Sequence, residues 1–116
     1  MSIRTRAVAA GAATAAALAL TAAPALAQKA STVTVTTPKS SPFAFNGMPK
    51  TLKAGTYTFK YVNNSGIAHN LKVGSTATPV FSSGSKTIKV TLKEGTTVAY
   101  ECTPHKTMMK GTIKVT

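Results

Sequence analysis

The chain has 116 residues and a formal net charge of +12, carried by 14 lysines and arginines against two acidic residues. A chain of this length forms one small domain, which excludes a multidomain enzyme and leaves little room for a large substrate cavity. Residues 1–27 contain 13 of the 19 alanines and both arginines, whereas residues 28–116 contain all 12 lysines and both glutamates. The chain therefore divides into two parts with different physical properties.

Residues 1–27 have the pattern of a secretory signal peptide. Arg4 and Arg6 give a positive start, an uncharged alanine-rich run follows, and residues 25–27 are the small-residue sequence Ala-Leu-Ala that a signal peptidase reads. A membrane anchor is the alternative, but a bilayer span needs about 20 strongly apolar residues, and this run is shorter and mostly alanine. We predict cleavage before Gln28 and a mature protein without a membrane anchor, in the periplasm or another space outside the cytoplasm.

The mature part, residues 28–116, is dominated by segments in which apolar and polar residues alternate. Strict alternation is typical of strands with one buried and one solvated face, and the 17 threonines of this part favour strands. Glycine- and asparagine-containing turns separate the segments, which predicts an all-β, antiparallel sandwich or barrel. Pro38 to Pro49 is expected to be irregular, with Phe43 and Phe45 as its anchors. The alternating segments are 32–36, 57–61, 69–73, 87–92, 97–102 and 111–116.

Alternation also brings four potential metal ligands to one end of the predicted sandwich. Cys102 follows the alternating residues of its strand that are predicted to point into the core, and Met109 comes just before the corresponding residues of the last strand. His69 shares a face with apolar neighbours, and His105 follows Cys102 by three residues on a loop. Two imidazoles, a thiolate and a weak thioether are the ligands of a blue-copper electron-transfer site. Zinc is the weaker alternative, because thioether is not among the usual zinc ligands.

Cys102 is the single cysteine of the chain, so no internal disulfide can form. Three interpretations remain for it in an exported protein: an inert buried thiol, an intermolecular bridge or a metal ligand. A lone inward methionine or cysteine is usually an ordinary core residue. The coincidence of the chain's two histidines, its cysteine and a methionine at matching positions favours the metal site.

The sequence Tyr-Glu-Cys-Thr-Pro-His-Lys-Thr-Met-Met-Lys-Gly at 100–111 and the pair His69-Asn70 resemble the cupredoxins, the family of plastocyanin, azurin, pseudoazurin and amicyanin. The resemblance extends from about Phe43 to Thr116. It implies a Greek-key β-sandwich that binds one type 1 copper ion and transfers electrons. The implied ligands are His69, Cys102, His105 and Met109.

The resemblance also implies roles within the loop. The axial methionine of these proteins lies two residues before a glycine, as Met109 lies before Gly111. Met108 is the alternative, because amicyanin has only two residues between its histidine and methionine. Asn70 is expected to tie the two ligand loops together by hydrogen bonds. His105 is expected to face solvent, within an apolar docking patch of Ile67, Ala68, Pro104 and Met108.

The basic charge has competing explanations. Residues 28–116 lack arginine, which supplies the bidentate contacts to phosphate and guanine, so nucleic acid is not an expected partner. The lysines are equally consistent with solvated strand faces that prevent edge-to-edge pairing and with docking of an acidic redox partner protein. Outward strand positions carry Lys60, Lys72, Lys89 and Lys114.

These observations favour a monomeric, exported carrier of single electrons. A copper-binding protein for delivery or homeostasis is the alternative function. An enzyme is not expected, because copper oxidases need further imidazole ligands and both histidines are already used. The chain also contains no aspartate, which excludes a Ser-His-Asp triad.

Overall fold

Two β-sheets form the part of the protein that the structure, a computed structural model, describes: residues 31–116. The strands are β1 (Ser31–Thr37), β2 (Thr51–Leu52), β3 (Gly55–Asn63), β4 (Lys72–Val73), β5 (Thr76–Ala77), β6 (Gly84–Leu92), β7 (Thr97–Glu101) and β8 (Lys110–Val115). One sheet has the order β1-β3-β6 and the other the order β2-β8-β7-β4-β5. The predicted signal peptide, 1–27, lies outside the described residues. Within the described part, no helix has the length and hydropathy needed to cross a membrane.

The core lies between the two sheets and follows the alternation of the sequence. On β3, Phe59 and Tyr61 are buried while Lys60 between them is exposed. Each large apolar side chain that is buried in this way contributes about 1.5–3 kcal/mol. The outward threonines and lysines keep the other face of each sheet in water. The buried core residues are Val35, Phe59, Tyr61, Leu71, Val73, Ile88, Val90, Leu92, Ile113 and Val115.

The predicted all-β sandwich is confirmed, but its sheets are mixed rather than wholly antiparallel. Of the six strand pairings within residues 31–116, β1 with β3 and β2 with β8 are parallel. Between β1 and β3 the chain crosses to the opposite sheet, where it forms β2. It then returns to the first sheet, and β3 runs in the same direction as β1. Alternation reports which face of a strand is buried and carries no information on the direction of its neighbour.

A buried polar pair connects the core to the irregular segment 38–49. The Thr37 hydroxyl donates to the carbonyl of Ala44 at 2.8 Å, so its oxygen accepts the hydrogen of the Tyr61 hydroxyl, 2.6 Å away. Burial raises the pKa of Tyr61 to about 12, although the hydrogen bond to Thr37 opposes the rise. Tyr61 therefore stays neutral at ordinary pH and remains a donor, which fixes segment 38–49 on the sandwich.

Candidate metal centre

Three side chains converge at one end of the sandwich, as the sequence predicted. Nδ1 of His69 lies 3.1 Å from Nδ1 of His105, and the Cys102 sulfur lies 3.5 Å and 3.6 Å from these two nitrogens. His69 and Cys102 are fully buried, whereas His105 is half-buried. The three donor atoms therefore form a small triangle, and His105 is the one residue of the three that is partly exposed to solvent.

The main chain around His69 differs from the predicted alternating segment 69–73. His69 forms an isolated bridge with Phe81, through N–H···O bonds of 3.0 and 2.9 Å, and only Lys72–Val73 belongs to a regular strand. His69 is inward as predicted, but Asn70 is buried as well. The reason is that the chain here passes from a bridge to a strand, so strict alternation is interrupted.

The tautomer of His69 is fixed by a hydrogen bond. Its Nε2 lies 2.7 Å from the carbonyl oxygen of Pro42, which can only accept, so Nε2 carries the hydrogen and Nδ1 presents its lone pair to the triangle. Burial lowers the pKa of His69, and nearby His105 lowers it further, while the Pro42 carbonyl acts in the opposite direction. A lowered pKa keeps the imidazole neutral, which is the form that binds a metal.

A short loop between β7 and β8 carries three of the predicted ligands, Cys102, His105 and Met109. Its ends are joined by the N–H of Cys102, which donates to the carbonyl of Met109 at 2.9 Å. Thr103–His105 forms a 3₁₀ turn, and the carbonyl of His105 accepts the N–H groups of both Met108 and Met109. These main-chain bonds direct Met109 inward, where it is 2% exposed, and leave Met108 60% exposed.

Asn70 links the two donor segments, as expected. Its Oδ1 accepts the N–H of Thr103 at 2.7 Å, and its Nδ2 donates to the Thr103 hydroxyl at 3.3 Å and to the carbonyl of Thr78 at 3.4 Å. Thr103 directly follows Cys102 in the chain. Asn70 therefore couples the position of the cysteine to that of His69, its own neighbour in sequence.

The proline-containing segment 38–49 is part of the centre, which the sequence did not predict. Phe45 anchors this segment in the core as expected, with its ring 5.4 Å from that of Tyr61. Phe43 instead lies against the rings of His69 and His105 and is 40% exposed. The spacing of the two phenylalanines places both on one side of the chain but does not distinguish a core contact from a contact with the centre.

The donor set fits a copper ion. A point in the plane of the three donor atoms lies about 2 Å from each, close to the roughly 2.0–2.1 Å bond between imidazole nitrogen and a transition-metal ion such as zinc. A trigonal set of two imidazoles and one thiolate is typical of blue-copper sites. The complete burial of Cys102 also leaves its sulfur out of reach of a second chain, which argues against an intermolecular disulfide in the folded protein.

Comparisons with known proteins agree with a copper site in this chain. The family profile described as copper binding proteins, plastocyanin/azurin family, matches residues 31–116. Among solved structures, the chain is similar to a dithionite-reduced auracyanin from the photosynthetic bacterium Roseiflexus castenholzii, with a TM-score of 0.60 and 18% identity over 77% of this chain and 99% of that one. It is also similar to auracyanin B, with a TM-score of 0.58 and 21% identity over 77% and 91% of the two chains.

A variant of amicyanin in the reduced state is a third similar structure, with a TM-score of 0.52 and 22% identity over 75% of this chain and 82% of that one. A comparison with curated protein sequences found no match. At these identities the solved structures show a shared fold, and the profile match shows the family relation.

Proposed function

Because the chain belongs to the plastocyanin/azurin family of copper-binding proteins and its cofactor is one type 1 copper ion, we propose that it is an exported carrier of single electrons. The triangle of two imidazole nitrogens and one thiolate sulfur, with sides of 3.1 to 3.6 Å, is the observation that supports this function most directly. The proposed ligands are His69, Cys102, His105 and Met109.

The proposed donors serve both oxidation states of the metal. Thiolate and thioether are soft donors that suit Cu(I), and imidazole also accommodates Cu(II). Copper in this site supplies one-electron exchange between Cu(I) and Cu(II). The hydrogen bonds of His69 to Pro42 and of Asn70 to Thr103 hold the surrounding chain in place, so the protein changes little when the charge changes.

Burial favours a carrier over the alternative of a copper-delivery protein. His69, Cys102 and Met109 are 0–2% exposed, so a recipient protein cannot reach them without opening the loop between β7 and β8. His105 is half-buried, and its imidazole is the part of the donor set that a partner approaches most closely. An electron can cross such an edge without movement of the ligands.

Copper titration of the mature protein tests the proposed ligands. We expect the wild-type protein to bind one Cu(II) and to develop an intense visible band from charge transfer between thiolate and copper. In Met109→Leu the band remains, but the midpoint potential rises, because replacing a donor by hydrocarbon favours the less charged Cu(I) and the axial ligand tunes the potential.

Met108→Leu is the matched control, since it makes the same change at the exposed neighbour, and we expect its potential to equal that of the wild type. Absence of the band in folded wild-type protein would overturn the proposed function. A shifted potential in Met108→Leu with an unchanged one in Met109→Leu would assign the axial position to Met108. Rapid transfer of the copper to a chelator, without a reversible potential, would favour delivery.

Export is the second part of the proposal and rests on the pattern of residues 1–27. The positively charged start, the alanine-rich run and the Ala-Leu-Ala sequence at 25–27 support removal before Gln28. The mass of the protein isolated from its native cell checks this, and an intact Met1–Ala27 segment would contradict it.

We further propose an acidic redox partner that docks at the exposed side of His105. Of the predicted apolar patch, Ala68, Pro104 and Met108 are exposed and Ile67 is half-buried. These residues are close in sequence to His69 and His105, and the chain as a whole is strongly basic. Electrostatic attraction of this kind speeds association and is screened by salt. The rate of electron exchange with an acidic partner should therefore fall steeply as the salt concentration rises. A rate that does not change with salt concentration would exclude a role for the lysines in docking.

A further inference from the structure

Phe43 contacts both histidines of the metal centre from a distant part of the chain. Its ring centroid lies 5.7 Å from that of His69, with an interplanar angle of 87°, and 5.1 Å from that of His105, with an angle of 74°. Both are edge-on arrangements, which aromatic rings favour and which contribute about 0.5–1.5 kcal/mol beyond the buried area. One aromatic side chain therefore restrains two donors whose positions are 36 residues apart.

The two histidines differ in what else holds their rings. His69 has a hydrogen bond from Nε2 to the carbonyl of Pro42, and its main chain is bridged to Phe81. A metal-binding histidine usually has such a bond from its second nitrogen. For His105, no acceptor for Nε2 is found among residues 31–116, and its turn has no buried residue. The main-chain bonds of the turn fix its backbone but leave the ring free to rotate about its side-chain bonds.

Phe43 is well placed to supply the missing restraint because its own segment is fixed. Thr36 and Asn46 are bridged by two main-chain bonds of 2.9 and 2.7 Å, and Thr37 binds the carbonyl of Ala44. Gly47, with a φ of +89°, lies so close to the backbone that a Cβ atom there would come within 2.7 Å of the Thr34 carbonyl oxygen. The segment cannot shift easily, so the ring of Phe43 has a defined position over the centre.

We propose that Phe43 is the positioning residue for His105 and that its ring shields the copper centre from ions in the solvent. The proposal rests on the proposed function, in that His69, Cys102 and His105 bind the copper. Phe43 acts by packing: its edge-on contacts limit rotation of the His105 ring away from the copper and cover part of both histidine rings. A ring in this position slows both loss of the metal and entry of an external ligand.

The test compares Phe43→Leu with Phe45→Leu in the copper-loaded protein. The two variants make the same change two residues apart, but Phe45 packs against Tyr61 and Tyr100 and not against the histidines. We expect Phe43→Leu to release copper to a chelator about tenfold faster or more, the effect usual for loss of a group that orients a metal ligand. We also expect its electron paramagnetic resonance spectrum to change when azide is added.

Phe45→Leu should lose thermal stability, but its release rate and spectrum should change far less than those of Phe43→Leu, because main-chain bonds between Thr36 and Asn46 still hold the segment. Phe43→Tyr, which keeps the ring, should restore slow release and resistance to azide. Wild-type release and an azide-insensitive spectrum in Phe43→Leu would overturn the proposal. A wild-type protein without the thiolate band would instead overturn the ligand assignment, and the two failures are therefore distinguishable.

Discussion

Cys102→Ser is expected to fold and to give no intense visible band with Cu(II). The band requires electron transfer from a sulfur lone pair to the metal, and Cys102 is the single thiol of the chain. A serine hydroxyl at this position is a hard, neutral donor that binds copper weakly at neutral pH. Affinity for copper should fall together with the band, because the buried thiolate is the one negatively charged donor among the four proposed ligands.

The fold should survive this substitution because serine is slightly smaller than cysteine and finds a partner. Nδ1 of His69, which lies 3.5 Å from the present sulfur, can accept the new hydroxyl. Circular dichroism checks the fold, and visible absorption with chelator competition checks the copper. A Cys102→Ser protein that keeps the full band would show that the sulfur is not its source.

Asn63→Ala is expected to lower the free energy of unfolding strongly, by about 2–6 kcal/mol. Nδ2 of this buried side chain donates to the carbonyls of Ile67 and Phe81, at 2.8 and 2.7 Å. Its Oδ1 accepts the N–H and the hydroxyl of Ser65, at 3.0 and 2.7 Å. Four hydrogen bonds at roughly 0.5–1.5 kcal/mol each give this range.

The same substitution should weaken the copper site at a distance. The Phe81 carbonyl that Asn63 binds also accepts the N–H of His69, so Asn63 supports the histidine through one shared acceptor. Urea titration of the apoprotein measures the loss of stability, and chelator competition measures the copper affinity. Asn64→Ala is the matched control, because it makes the same change at the next residue, where the asparagine side chain is exposed. Equal unfolding midpoints for the two variants would contradict the prediction.

The sequence predicted which of the proposed ligands are buried, because alternation reports burial. Cys102 and Met109 extend inward-facing rows of β7 and β8 just past the strand ends, where the rows of two paired strands meet. The same parity correctly separates buried Met109 from exposed Met108. Asn70 followed from the family resemblance, and its hydrogen bonds to Thr103 are present.

Other features depend on contacts between distant segments, which periodicity does not encode. Parallel pairing of β1 with β3 depends on the sheet that the intervening strand joins. The bridge between His69 and Phe81 interrupts the alternating segment. Phe43 and Phe45 have equivalent sequence environments, and only the path of the segment 38–49 directs one to the histidines and the other to the core.

The short connection between β7 and β8 has a consequence for the unfolded chain. Three of the four proposed donors lie within residues 102–109, so a thiolate, an imidazole and a thioether stay within reach of one ion even when the sandwich is absent. His69 joins them only after the sheets have formed. A ligand stabilises the native state only to the extent that it binds this state more tightly than the denatured state. Copper should therefore raise the unfolding temperature by less than expected from its affinity for the native protein, because the denatured chain also binds it.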